Sequence, residues 1–338
     1  MKALRSITLI ILPLLLFPAC MLWGSVDIPP SQVLTILTGG TPESHVWQVI
    51  IMESRLPMAL CAMLAGAALS VAGLLLQTTF NNPLAGPSIL GISSGASLGV
   101  ALVMLALGGA VTSYGIGYYA AVVTGAMAGA MAVLLTLLIF SRMVKSTPML
   151  LIVGILVGYL TSSAISLLNF FATQEGVHSF VIWGMGSFAG ITWSRLTIFA
   201  AVGVTSLLLT LLLVKPLNAL LLGPRYAESM GVNIQRTRNA LILLSGLLTA
   251  AVTAFCGPIG FLGLVVPHIA RLWMKTSNHA ILLPATALTG SSLGLLCNLL
   301  SVLPAKTEVV PINAITPIIG IPVIIYIILA RKRLHYFN

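Results

Sequence analysis

Residues 56–79 read LPMALCAMLAGAALSVAGLLLQTT, a stretch without a single charged side chain. It opens a longer run, 56–141, that contains no Lys, Arg, Asp or Glu. A transmembrane helix needs about 20 mainly apolar residues, so this run is long enough for more than one helix. The stretch therefore predicts a chain that crosses a membrane several times.

The rest of the chain continues this pattern. Further uncharged runs occupy 146–174, 196–214, 239–270 and 309–330. Of the 338 residues, 58% are hydrophobic and 7% are charged, and the mean hydropathy is +1.10. Soluble domains carry about 25% charged residues. Because a β-barrel would show short alternating segments instead, the continuous runs predict an all-α polytopic membrane protein.

Breaks in the hydropathy divide the chain into about ten predicted transmembrane helices. The first is expected to be an uncleaved helix rather than a signal peptide, because Phe17 and Pro18 are poor residues for a cleavage site. The eighth is short, and a further short helix is expected near 178–190. The predicted spans lie near 6–24, 48–78, 88–107, 118–140, 148–171, 195–214, 240–256, 259–273, 280–303 and 312–330.

The distribution of charge predicts the orientation of these spans. If the N-terminus is inside, thirteen of the sixteen basic residues are cytoplasmic, as the positive-inside rule requires, and only one of the six acids is. Both termini are then cytoplasmic, and the net charge of +10 requires no nucleic-acid partner. The basic residues left outside are Arg55, Arg195 and Lys306.

Glycine spacing predicts close helix packing and a possible inverted repeat. GxxxG pairs let helix backbones approach in lipid. The segment 86–91, GPSILG, follows the second span, and 257–263, GPIGFLG, follows the seventh, which runs in the opposite direction. A chance match is the alternative explanation. The GxxxG pairs are Gly91/Gly95/Gly99, Gly125/Gly129, Gly154/Gly158, Gly186/Gly190 and Gly290/Gly294.

The motifs of catalysis and cofactor binding are absent from the sequence. It contains no P-loop, HExxH, GxSxG or paired carboxylates, and its four cysteines lack metal-site spacing. We therefore expect no enzyme activity, cofactor or metal in this chain. All six carboxylates fall in loops or at span ends. This disfavours an ion-coupled secondary transporter, although some sodium sites use only backbone and hydroxyl oxygens.

The longest predicted cytoplasmic connection, about 215–239, reads KPLNALLLGPRYAESMGVNIQRTRN. Its apolar residues recur at amphipathic spacing, and Gly231 suits the end of a short helix. A solvated loop has little need of such residues, so we interpret the segment as a docking element for a partner. The remaining alternative is a structural membrane protein without a transport pathway.

The same loop resembles the coupling loop of the FecCD family, the permeases of iron-chelate and cobalamin ABC importers. The resemblance covers nearly the whole chain in order. Its motifs here are Glu53-Ser54-Arg55-Leu56-Pro57, Gln77 with Asn82-Pro83-Leu84-Ala85, 90–96 (LGISSGA), 183–190 (WGMGSFAG), 222–233 (LGPRYAESMGVN) and 257–271 (GPIGFLGLVVPHIAR).

This resemblance implies a single permease domain over 1–338 with ten spans, in the bacterial cytoplasmic membrane. It implies a homodimer, two partner ATPase subunits that bind ATP and Mg, and a periplasmic or lipoprotein substrate-binding protein. Alternating access driven by the ATPases would import a metal chelate. The leading hypothesis for the substrate is a ferric siderophore or haem, and cobalamin is the alternative.

The resemblance also implies roles for individual residues. Asn82, Leu84, Ser146 and Thr147 would form a cytoplasmic gate, although Ser-Thr before Pro148 is also an ordinary helix start. Arg55 and Lys306 would contact the binding protein. The usual Pro-Val-Gly pattern near the C-terminus is replaced here by residues 311–313, PIN, which removes one flexible position. The ATPase would be coupled through Leu222, Gly223, Ala227, Glu228, Ser229, Met230 and Gly231.

Overall fold

Fifteen α-helices make up the described part of the computed structural model, which covers residues 2–106, 116–144, 146–302 and 309–330. Two π-helical turns, Ile50–Arg55 and Leu102–Ala106, and one 3-10 turn, Pro87–Leu90, accompany them. The helices are α1 Lys2–Leu22, α2 Pro30–Leu37, α3 His45–Val49, α4 Leu56–Thr79, α5 Ile92–Ala101, α6 Ile116–Met143, α7 Thr147–Phe171, α8 Gln174–Gly184, α9 Trp193–Leu211, α10 Val214–Leu220, α11 Pro224–Ser229, α12 Ile234–Cys256, α13 Leu262–Met274, α14 His279–Val302 and α15 Ile312–Ala330.

Ten apolar helical segments of the described chain coincide with the ten predicted spans. Seven are long enough to cross a membrane, and three are shorter: Ile92–Leu105, Leu262–Met274 and Ile312–Tyr326. The all-α polytopic prediction is confirmed, including the short eighth span, α13. The short helix expected near 178–190 is α8, which begins earlier because the Thr173 hydroxyl caps it, accepting from the Gly176 N–H at 3.3 Å.

The centre of the bundle is α4, which packs against α9, α12, α13 and α14. In its spanning segment 83% of residues are buried, against 17% in α7, so α4 is enclosed by protein. The main core lies around α4. A second core joins α5, α6 and α7, and α12 contributes residues to both cores.

Small residues allow the closest helix contacts. A Cβ on Gly66 of α4 would lie 2.8 Å from the carbonyl carbon of Gly290 in α14, and one on Gly99 would lie 2.6 Å from that of Gly125. Helix backbones can approach this closely only where no side chain intervenes. The GxxxG pair at 186 and 190 is different, because it lies in the connection after α8 and does not pack two helices.

The two ends of the bundle differ in charge. We call the end that carries Arg5, Arg142, Lys215, Arg236 and Lys275 the basic end, and the end that carries Asp27, Glu43, Glu53 and Glu175 the acidic end. Hydrogen bonds tie helix termini together at the basic end: Trp273 of α13 donates from Nε1 to the Arg5 carbonyl at 3.2 Å, and Ser141 of α6 donates from Oγ to Asn239 Oδ1 of α12 at 2.7 Å. The side of the membrane that each end faces stays a prediction.

Two interrupted helices meet inside the bundle. Residues 80–91 separate α4 from α5, and 257–261 separate α12 from α13. A Cβ on Gly263, in the first turn of α13, would lie 2.6 Å from Pro87 Cδ and 2.8 Å from the Leu69 carbonyl oxygen, so the start of α13 contacts the first interruption beside the middle of α4. Residues of both interruptions line one cavity there. Gly86-Pro87 lies in the first interruption, and Gly257-Pro258 lies in the second. The inverted repeat itself stays a prediction.

Candidate functional site

The predicted gate segment, 80–91, begins where α4 ends. Asn81 has a positive φ of 44°, which asparagine tolerates better than most residues. The Asn81 N–H donates to the Thr78 carbonyl at 3.3 Å and the Asn82 N–H to the Gln77 carbonyl at 3.1 Å. This pair of bonds is a Schellman motif, which ends a helix at a left-handed residue. It fixes Asn82 against the last turn of α4.

The two predicted gate residues of this segment are adjacent in space. Asn82 Oδ1 accepts a hydrogen bond from the Leu84 N–H at 2.9 Å, which forms an Asx turn. Asn82 is half-buried, whereas the Leu84 side chain is 50% exposed. An exposed leucine on a fixed, uncharged turn can form an apolar constriction.

Side chains of α13 hold the segment from the other side. His268 Nε2 lies 2.7 Å from the Pro83 carbonyl oxygen, so this nitrogen carries the donated proton. Arg271 Nη1 donates to Gln77 Oε1 at 2.6 Å, and Gln77 Nε2 donates to the Leu264 carbonyl at 3.1 Å. Gln77 is 1% exposed, and both sides of its amide are satisfied.

Ser146 and Thr147 lie at the start of α7. The Ser146 Oγ accepts from the Met149 N–H at 3.4 Å, so the serine is the N-cap of this helix. Within the described residues, no hydrogen bond connects Ser146 to Asn82 or Leu84. The second gate layer therefore stays a prediction, beside a structural role that the geometry of Ser146 supports.

Two neighbouring cavities lie between the interrupted helices. Their volumes are about 130 Å³ and 380 Å³. Ser88, Ile259, Gly260 and Phe261 line both, and Leu84 lines the smaller one. No lining side chain carries a charge. The larger cavity is also lined by Ser93, Ser94, Ser97, Pro258, Asn313 and Pro317.

The predicted coupling loop is an ordered structure made of α10 and α11. Gly231 has a φ of 83° and donates from its N–H to the Glu228 carbonyl at 2.9 Å, and the Val232 N–H donates to the Ala227 carbonyl at 3.0 Å. This is a second Schellman motif, which ends α11. Asn233 then caps α12 by accepting from the Arg236 N–H at 2.9 Å. The loop therefore presents a fixed surface.

The apolar part of that surface comes from Leu222, Tyr226 and Met230. Their side chains are 60%, 69% and 64% exposed, which is unusual outside an interface. Gly223, Glu228, Ser229 and Gly231 lie on the exposed or half-exposed side of the same loop. Ala227 is different, because it is fully buried. Its burial argues for a packing role within the loop, and its predicted part in ATPase coupling stays a prediction.

Arg55 lies at the acidic end but is only 4% exposed. Its Nη1 donates to the carbonyl oxygens of Met21 at 2.6 Å and Leu22 at 3.2 Å, and its Nη2 donates to that of Val26. The guanidinium thus satisfies the orphan carbonyls at the end of α1. Arg55 is therefore held within the fold, and its contact with the binding protein stays a prediction. The other predicted docking residue, Lys306, lies outside the described residues.

Asn313 forms a junction that the sequence did not predict. Its Oδ1 accepts from the Gly260 N–H at 3.0 Å, and its Nδ2 donates to the carbonyls of Pro258 at 2.6 Å and Gly184 at 3.2 Å. The amide therefore ties α8, the turn before α13 and α15 together. The departure from the usual Pro-Val-Gly pattern was visible in the sequence, but its partners were not.

The sequence also did not predict a role for two further polar residues at the basic end, Asn218 and His279. They bond each other across 61 residues, and His279 bonds Thr78 across 201. No local pattern connects positions so far apart. Among the described residues, no group of three or more His, Cys, Asp or Glu could hold a metal ion.

The fold defines a multi-pass membrane permease with two interrupted helices and an exposed apolar loop. The chain belongs to the FecCD transport family, whose model matches residues 10–330. Homologues are permease subunits of ABC transporters and are not enzymes, because ATP hydrolysis is carried by a separate subunit.

Named relatives and a solved structure agree with this family. The vitamin B12 import system permease protein BtuC of Escherichia coli O9:H4 (strain HS) is 35% identical over 291 residues, covering 86% of this chain and 85% of that protein. BtuC of Shigella boydii serotype 18 shows the same identity and coverage. A structure described as an inward-facing conformation of a metal-chelate type ABC transporter is 30% identical and has a TM-score of 0.82. It covers 96% of this chain and 98% of that chain.

Proposed function

We propose that the chain is the transmembrane subunit of an importer that moves a metal chelate from the periplasm to the cytoplasm. One permease domain over 1–338 would pair with a second copy and with two ATP-binding cassette ATPases. A periplasmic or lipoprotein binding protein would deliver the substrate. The bilayer would be the bacterial cytoplasmic membrane.

The observation that carries this proposal is the coupling loop. The loop has a fixed shape for three reasons: the Schellman motif at Gly231 ends α11, Asn233 caps α12, and Ala227 is buried. A loop that only connected two helices would not need exposed Tyr226 and Met230 on such a support. An apolar surface of this kind suits a groove on a partner protein.

The orientation follows from the charge of the two ends. The basic end carries the coupling loop and the gate segment, and the positive-inside rule assigns it to the cytoplasm. Asn82 and Leu84 would then form the inner gate, with Ser146 and Thr147 as a second layer. The partner ATPases would bind ATP and Mg beneath Leu222, Tyr226 and Met230.

Three chelates remain as candidates for the substrate. A ferric siderophore or haem is the leading hypothesis from the sequence, and the metal-chelate type transporter with the similar fold is compatible with all three chelates. Cobalamin, which is itself a cobalt chelate, is favoured by the BtuC relatives.

Reconstitution tests the proposal. Proteoliposomes should contain the permease, its cognate ATPase and the binding protein, with ATP supplied on the side of the ATPase. We expect uptake of radiolabelled cyanocobalamin, a ferric hydroxamate or haemin only with hydrolysable ATP. Uptake that continues without ATP and stops with an ion-gradient uncoupler would refute the importer and support a secondary transporter.

A further inference from the structure

A line of polar side chains joins the coupling loop to the gate segment at the basic end. It runs from Asn218 in α10 through His279, the first residue of α14, to Thr78 in the last turn of α4. We propose that Asn218 and His279 are positioning residues that transmit movement of the coupling loop to the gate. This inference rests on the proposed function, because it requires an ATPase to act on that loop.

The hydrogen bonds form one continuous chain. Asn218 Oδ1 accepts from the His279 backbone N–H at 2.8 Å and lies 3.0 Å from His279 Nδ1. His279 Nε2 lies 2.9 Å from Thr78 Oγ1. A neutral ring with its proton on Nδ1 satisfies both contacts: Nδ1 then donates to Asn218, and Nε2 accepts from the Thr78 hydroxyl. That hydroxyl has a single proton, for which the Leu74 carbonyl at 3.0 Å is the competing acceptor. Donors and acceptors therefore alternate from α4 to α10.

Burial makes this chain stiff. His279 is fully buried, so water cannot replace a lost partner of its ring. Asn218 also donates from Nδ2 to Asn278 Oδ1 at 3.0 Å, and that oxygen accepts from the Ala280 N–H at 2.9 Å. Asn218 is thereby tied to the first turn of α14 at several points. Displacement of α10 without α14 would leave buried polar groups unpaired.

At Asn218, the row of hydrogen bonds is mechanically connected to the proposed docking surface. Leu217, next to Asn218, is fully buried in the main core, so α10 is the base of the coupling loop. Only residues 221–223 separate α10 from α11, and the two helices are in contact. Force applied to exposed Tyr226 or Met230 therefore reaches α10 directly.

At its other end, the row of hydrogen bonds connects directly to the gate segment. Thr78 takes part in the Schellman motif of the gate segment, because its carbonyl accepts the Asn81 N–H at 3.3 Å. Asn82 follows immediately, and its amide is held by the Gln77 carbonyl. A shift of Thr78 consequently changes the direction in which the gate segment leaves α4. A helix cap for α14 alone would not need the contact with Thr78.

The gate can be observed through a thiol introduced by Leu84→Cys. Leu84 is half exposed, whereas the four native cysteines are buried, so a maleimide dye should react at the new site. The labelling rate is measured on the complex with its cognate ATPase in nanodiscs, without nucleotide and with ATP, Mg²⁺ and vanadate. We expect the two rates to differ in the Leu84→Cys chain.

The test variants remove one link each. Thr78→Val keeps the side-chain shape and removes the hydroxyl that faces His279. Thr79→Val is the matched control, because the Thr79 hydroxyl donates only within its own helix, to the Leu75 carbonyl at 2.7 Å. Asn218→Ala removes the other end of the chain. Binding of the ATPase is measured in parallel for every variant.

Thr78→Val and Asn218→Ala should each reduce the ATP-dependent ratio of labelling rates by about fivefold, since coupling of about 1 kcal/mol is expected along such networks. The double variant should be no worse than either single variant, because both break one chain. Thr79→Val should behave as the parent.

Equal ratios for Thr78→Val and Thr79→Val would overturn the relay, and so would additive effects in the double variant. Failure of the proposed function gives a different result, because the parent chain would then not bind the ATPase at all.

Discussion

The contact between Gly73 and Gly263 supports the most direct test of the fold around the gate. Gly73 lies in α4, and Gly263 is the second residue of α13. In Gly73→Ala, the new Cβ would lie 2.5 Å from the carbonyl carbon and 2.8 Å from the Cα of Gly263, whereas ordinary contact begins at 3.4 Å. Both atoms belong to a helix backbone, so no side-chain rotation relieves the overlap.

The size of the effect follows from the forced separation. The Gly263 carbonyl oxygen would be closer still to the new Cβ, so the two helices must move apart by at least about 1 Å, a gap that forfeits about half of each dispersion contact across it. Overpacking of this kind costs about 1–3 kcal/mol or more. Alanine recovers up to about 1 kcal/mol through its helix propensity. We therefore expect a net loss of about 2 kcal/mol, or about 5 °C in Tm.

Thermal unfolding of the protein in nanodiscs, followed by intrinsic fluorescence, measures this loss. Gly158→Ala in α7 is the matched control, because its new Cβ would lie 3.7 Å from the nearest backbone atom, Gly91 Cα. It makes the same chemical change without overlap. If Gly73→Ala melts at the temperature of Gly158→Ala, the close packing of α4 and α13 is refuted.

Three further changes test the site. In Arg55→Met, the amides at the end of α1 should exchange hydrogen faster than in the parent. Arg55→Lys should not restore protection, because one ammonium cannot span three carbonyls. Exchange rates equal to those of the parent would contradict this role of Arg55. Tyr226→Ala combined with Met230→Ala should weaken ATPase binding by about 2 kcal/mol, about thirtyfold, in a nanodisc titration. Unchanged affinity there would count against the docking surface. Asn313→Gly removes three hydrogen bonds worth about 1 kcal/mol each, so exchange in the turn before α13 should accelerate. Exchange as slow as in the parent would argue against the junction.

The spans were predictable because they depend on local composition. A run without charge, such as 56–79, is read from neighbouring residues, and so is the shortness of α13. The boundary of α8 was displaced because one hydroxyl, that of Thr173, sets the helix start. Local patterns give the existence of a helix more reliably than its first residue.

The site was predictable only where the chain itself forms it. The turn at Asn82 and the helix end at Gly231 follow from nearby residues. Arg55 was predicted to contact the binding protein, and its hydrogen bonds to carbonyls at the end of the preceding helix were not predicted. Ala227 belongs to a motif, but a motif does not say whether its side chain faces the partner or the bundle. The contact between Thr78 and His279 depends on the whole fold.

The burial of α4 has a consequence for how the chain is made. The helices that enclose it, α9, α12, α13 and α14, all follow it, and the first of them begins at Trp193, more than 100 residues after Thr79. During synthesis α4 enters the bilayer before these partners exist. Until these helices are made, the alanine and glycine faces of α4 must therefore contact lipid or an insertion factor. The centre of the molecule can assemble only after α14, which is translated late, has left the ribosome.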